Sequence, residues 1–214
     1  MVLKLRRVPF FLEPDYVDKD VSFTESHETR MVRKFGSVAA FDRVKASHGL
    51  IPRGAAVGLD GSINFTQDQL DKRVQSSTLN SHRLVLYAAQ TFGEEKAEVL
   101  YDLLNEFHFL EAGVLNDPVL LEKCITHTRL ALTDEEVINT LEFLNDSQRG
   151  RSAVMRLYGL TQQQGVNSIP TLVVDGQYAI SGTAAAREIV DTIRAAVRDH
   201  TGGRVFALLP GELD

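Results

Sequence analysis

Two hydrophobic periods divide this chain. From Asn80 to Gln164 apolar residues recur three and four positions apart, the spacing of one helix face. From Thr171 to Ile180 a β-branched run turns at Asp175-Gly176 and returns, which predicts a hairpin because glycine accepts the positive φ of a tight turn. The earlier helices are weaker. Thr24 or Ser26 can cap a helix from His27 to Lys34 that Gly36 ends, and Ser37 can cap the next, with Val38, Phe41, Val44 and Lys45 in phase. Gly49 and Pro52 interrupt that helix or end it. Leu59 to Ser62 reads as a turn, Ile63 to Phe65 as extended, and Thr66 to Val74 as a brief helix.

The central pattern is clearer. Leu84, Val85, Ala88 and Ala89 mark a helix opened by Asn80 and stopped by Gly93. Ala97, Leu100, Tyr101, Leu104, Phe107 and His108 mark one from Glu94 to Ala112, ended by Gly113, with acidic residues where the helix dipole favours them. Asp117-Pro118 starts another, with Pro in the first position and Leu121, Cys124, Ile125, Thr128 and Leu132 inward. Thr133 with Glu136 forms a capping box ahead of Val137, Leu141 and Leu144. Ser147 to Gln164 carries Val154, Leu157, Tyr158 and Thr161 inward. Thr183 can cap a last helix with Ile189, Val190, Ile193 and Val197 on one face. At the other end, Val2 to Leu12 reads as a strand, with Pro9 suiting an edge or a strand end. Strand, many helices, hairpin, helix implies an α/β fold in which a helical insertion interrupts a small sheet. The expected divisions are 2–15, the first strand; 22–164, the helical insertion; 165–200, hairpin and helix; and 201–214, a tail.

Composition narrows the partners. A net charge of -6 without a basic stripe argues against nucleic acid. No apolar run approaches the roughly 20 residues of a membrane span. The basic, partly apolar start is read as strand and not as a targeting segment, since it lacks a long apolar stretch and a cleavage site. The single cysteine excludes an intrachain disulfide and a dithiol motif, and a reducing, cytoplasmic location suits it. On the apolar side of a helix, Cys124 reads as a small buried hydrophobe. No HExxH, paired His/Cys set or acidic cluster predicts a metal. His82 reads either as a general acid or base facing a groove or as a histidine held structurally at a helix start. Taken by themselves, the residues leave Pro170 an ordinary trans proline opening a strand.

Three stretches carry a resemblance. Pro9-Phe10-Phe11-Leu12-Glu13-Pro14-Asp15 resembles the R-P-F-x-L-x-P-D strand end of DsbA-like thioredoxin-fold proteins, and in particular of the FrnE-type, 2-hydroxychromene-2-carboxylate isomerase-like branch. Asn80-Ser81-His82-Arg83-Leu84 is similar to that branch's N-x-x-A-H-R-L helix start, with shorter spacing after the Asn. Gly165-Val166-Asn167-Ser168-Ile169-Pro170-Thr171-Leu172-Val173-Val174-Asp175-Gly176, followed by Tyr178-Ala179-Ile180-Ser181-Gly182, resembles its most specific segment, G-I-x-G-V-P-x-F-V-I-D-G…Y-A-V-S-G. The likeness runs from about Pro9 to Val197.

The resemblance implies a thioredoxin-like fold with a large all-helical insertion and a cis Pro170. It implies a substrate-binding loop at Ser168, Ile169 and Pro170, bordered by His82. It also implies a first strand, C-x-x-C motif and first helix that these residues do not contain. The expectation is therefore a member of a thiol–disulfide oxidoreductase family without its dithiol, redox-inactive as written, with no catalytic residue assigned. The alternatives are a glutathione-dependent isomerase or transferase of the kappa-class type, glutathione then being the ligand, or a non-catalytic module binding a peptide, a thiol substrate or a second copy of the chain in a homodimer. Arg204 to Leu209 is a candidate filler for the missing strand.

Overall fold

The computed structural model describes residues 5–48, 72–176, 178–182, 184–198 and 213. The protein is mixed α/β and mostly helical. It divides into a larger unit, Glu13–Asp146, and a smaller one made of Met1–Leu12 with Ser147–Asp214.

The larger unit opens with a 3-10 turn at Pro14–Tyr16. Glu13 takes Arg30 at 2.5 Å and Arg33 at 3.1 Å, and Arg33 also reaches Glu25 at 3.0 Å, fastening this start to α1 (His27–Phe35). Ser26 caps α1 by accepting the Thr29 N–H at 3.0 Å, and Gly36 ends it at φ 83°. Ser37 accepts the Ala40 N–H at 3.2 Å at the start of α2 (Val38–His48). β1 (Glu25–Ser26) pairs antiparallel with β2 (Val74–Gln75). Val74 is therefore strand and not the end of a helix. The expected breaks at Gly49 and Pro52, the turn at Leu59–Ser62, the extended piece at Ile63–Phe65 and the start of the Thr66 helix lie outside the described residues.

Four helices follow: α3 (Leu79–Thr91), α4 (Glu94–Glu111), α5 (Pro118–Ile125) and α6 (Asp134–Asn145). Leu84, Val85 and Ala88 meet Ala97, Leu100, Leu103, Leu104 and Phe107, and Leu120, Leu121, Cys124 and Ile125 close the core. Each fully buried leucine there contributes about 1.5–3 kcal/mol relative to exposure. The capping box of α6 is complete: Thr133 Oγ1 accepts the Glu136 N–H at 3.2 Å, and Glu136 accepts the Thr133 N–H at 2.8 Å. α5 is shorter than its apolar spacing implies and leaves Thr128 and Leu132 beyond its end. Thr126 is its C-cap, its N–H and its hydroxyl both donating to Glu122 O at 2.9 Å.

The smaller unit contains α7 (Arg151–Gln163), β3 (Thr171–Val174), β4 (Tyr178–Ser181) and α8 (Ala186–Arg198). Helix α7 groups with the hairpin and not with the helices before it. Tyr158 of α7 meets the rings of Phe10 and Phe11 edge-on at 6.0 and 4.9 Å, and Ala153, Val154 and Leu157 are buried. β3 and β4 pair antiparallel, with Asp175 and Gly176 at φ 53° and 70° in the turn between them. The strand expected over Val2–Leu12 is not formed over its described part, Leu5–Leu12. A strand exists through the hydrogen bonds of a neighbour, and β3 and β4 supply these only to each other among the described residues. Pro9 and Phe11 are buried without such pairing. The expected cap Thr183 and the Arg204–Leu209 run lie outside the described residues.

Candidate functional site

The loop before β3 is launched by the end of α7. Gly165, at φ 73°, donates to Gln162 O at 3.0 Å, and the Val166 N–H returns to Thr161 O at 3.0 Å. Val166 is buried, and the chain from Asn167 to Pro170 then runs exposed. The Ile169–Pro170 bond is cis.

Three hydroxyls fasten this loop to the hairpin. Thr171 Oγ1 donates to Ser168 O at 2.7 Å. Its proton is thereby used, so Ser181 Oγ, 3.2 Å away, donates to Thr171. Ser181 then accepts from Ser168 Oγ at 3.0 Å. This directed chain ends on a carbonyl and contains no base. It fixes a shape; it does not activate a nucleophile.

The backbone is more informative. Gly182 N–H donates to Pro170 O at 2.8 Å. The register pairs Thr171 with Ser181, Leu172 with Ile180, Val173 with Ala179 and Val174 with Tyr178. Hydrogen-bonded and non-bonded pairs alternate along an antiparallel ladder. Leu172 and Val174 therefore point their backbone groups at β4, and those of Thr171 and Val173 point the other way. No strand lies on that edge among the described residues. All four β3 side chains are half-buried, and Ile169 is exposed.

His82 lies in the first turn of α3, its N–H bonded to Thr78 O at 3.0 Å, and is half-buried. It belongs to the larger unit, and the Ser168–Pro170 loop to the smaller. Cys124 is buried on α5, and burial pushes its thiol up to about 12. Lys123 is too weak a counter-influence to restore a thiolate at neutral pH.

Sequence patterns passed over two cationic side chains. Arg83 is fully buried in α3 and donates to Asn80 Oδ1 at 2.8 Å, to Phe143 O at 3.1 Å and to Asp146 O. Arg73 sits beside β2 with its guanidinium 4.7 Å from the centre of the Phe109 ring. The Asn80–Leu84 string was the one signal that touched Arg83; nothing in the local pattern marked Arg73. Among the described residues no group of three or more His, Cys, Asp or Glu side chains is placed to hold a metal ion, and no helix is long and apolar enough to cross a membrane. No family model matches the chain, and no curated protein matches it.

Proposed function

We propose that this chain is a DsbA-like thioredoxin-domain protein that binds an extended peptide along the Ser168–Val173 segment and performs no dithiol exchange through these residues. The observation that carries the reading is the outward backbone of Thr171 and Val173, next to an exposed Ile169. An incoming strand would gain main-chain hydrogen bonds from that edge and side-chain contact with the half-buried β3 residues. The hydroxyl chain through Ser168, Ser181 and Thr171 keeps the approach in one conformation, which lowers the ordering cost of binding. Exchange requires an attacking thiolate, and Cys124 is the only cysteine of the sequence.

The test is fluorescence anisotropy with a labelled, Lys-flanked peptide of alternating Thr and Val. Saturable binding is expected for the native protein. Val173→Pro should abolish it while leaving the hairpin folded, because the Val173 N–H is not spent on β4 and an edge proline is tolerated there. Binding that survives Val173→Pro would overturn the reading. Calorimetric heat with millimolar glutathione, beside no peptide binding, would replace it by a glutathione-dependent transferase or isomerase. Iodoacetamide should label Cys124 only after denaturation; rapid labelling of the native protein, or insulin reduction by it, would refute the redox-inactive part.

A further inference from the structure

We propose that Arg73 and His108, both set against the Phe109 ring in the larger unit, bind a compact oxyanion, a carboxylate or phosphate group. Arg73 is half-buried, and its Nε is buried with no hydrogen-bond partner. No acid among the described residues forms an ion pair with it. Among the described residues its guanidinium lies over the Phe109 ring, whose face attracts a cation. His108 stands beside that same ring, centroids 5.1 Å apart. Its Nδ1 is 2.7 Å from Gly113 O. A carbonyl only accepts, so Nδ1 carries the hydrogen and Nε2 is the atom left for another partner.

Burial lowers the basicity of His108, and the charge of Arg73 lowers it further, against the Gly113 bond. Among the described residues, a permanent cation and an imidazole held neutral beside it leave a positive field with no matching charge. An arginine stays ionised even when buried, so an unpaired one lacks the compensation that buried charges ordinarily have. An oxyanion would supply it. It would pair with the planar guanidinium and draw a proton onto Nε2 of His108, converting that atom into a second donor. An apolar or cationic ligand would gain nothing from either group.

The experiment is a titration of the full chain with sodium phosphate and, separately, sodium acetate, against sodium chloride at equal ionic strength. Thermal midpoint and the His108 imidazole resonance are followed together. A saturable rise in midpoint and an upward shift of the His108 titration are expected with at least one oxyanion and absent with chloride. Arg73→Gln should weaken the response at least tenfold. A wild-type protein whose His108 signal responds to neither oxyanion overturns the proposal, as does an unchanged response in a folded Arg73→Gln protein. Should that variant not fold, Arg73→Lys keeps the charge and loses the fork, and undiminished affinity there counts equally against the site.

Discussion

At the scale of single residues, Arg83 ties α3 to the end of α6. A helix ends with carbonyls that have no partner within it. Arg83 answers this for α6 by donating to Phe143 O at 3.1 Å and to Asp146 O, some sixty positions away in sequence. Its guanidinium also lies 5.2 Å from the Phe143 ring centre, and Phe143 stacks on Tyr87 at 4.3 Å. Replacing it by Met removes the charge and takes the Arg83 donor from the buried Phe143 carbonyl. Arg83→Met should lower stability by about 1–3 kcal/mol, the cost of leaving a buried acceptor without its donor. Urea unfolding measures this, and a loss under 1 kcal/mol would contradict the role assigned to Arg83. Helical spacing alone placed Leu84, Val85 and Ala88 inward correctly. It had no means of finding Arg83, because the carbonyls that make its burial tolerable come from another helix. The same holds for Arg73, whose surroundings are set by α4.

At the scale of elements, what was legible is what the chain decides locally. Ser26 and Gly36 around α1, Asp117-Pro118 at α5, Thr133 with Glu136 at α6, and Asp175-Gly176 in the hairpin all act within a few residues. Gly113 shows where local reasoning gives the right residue for an incomplete reason. As a helix stop it reads as a left-handed cap, yet the left-handed residue is Ala112, at φ 56°. Gly113 is needed for space: a Cβ there would lie 2.8 Å from Leu120 Cδ1 and 3.1 Å from Phe107 O. Leu120 belongs to the buried core and cannot swing aside freely. Gly113→Ala should therefore cost about 1–3 kcal/mol, as overpacking does. The loss should be seen as a lower urea midpoint, and an unchanged midpoint would show that the α4–α5 connection relaxes more easily than its packing implies. The Val2–Leu12 strand failed for the opposite reason. Alternation gives a segment a strand's pattern but cannot provide the neighbouring strand that makes it one.

At the scale of the whole molecule, the two units differ in how their apolar surface is covered. The larger has a continuous core in which α3, α4 and α5 each contribute several buried residues. In the smaller, burial is thinner: Ile180 is the only buried residue of the two strands, and Ala196 that of α8. Leu5, Leu12, Met155, Ile169, Val190 and Val197 are all exposed there. A two-stranded hairpin is marginal in water unless something packs on it, and α8 provides partial cover on both strands. Local opening free energy follows buried apolar contact and the shielding of backbone bonds. Amides of α3 and α4 around Leu84–Ala88 and Leu100–Leu104 should thus exchange slowest in hydrogen–deuterium exchange, near the global unfolding rate. Amides of β3 and β4 should exchange well before them, with Thr171 and Val173 fastest because their N–H groups face away from β4. Saturating peptide should then protect Thr171 and Val173 selectively, since a strand added at that edge bonds those groups and leaves Leu172 and Val174 as they were. Equal protection of both strands and the α3–α4 core without ligand would mean that the β3 edge is already covered, and would remove the physical basis for peptide addition there.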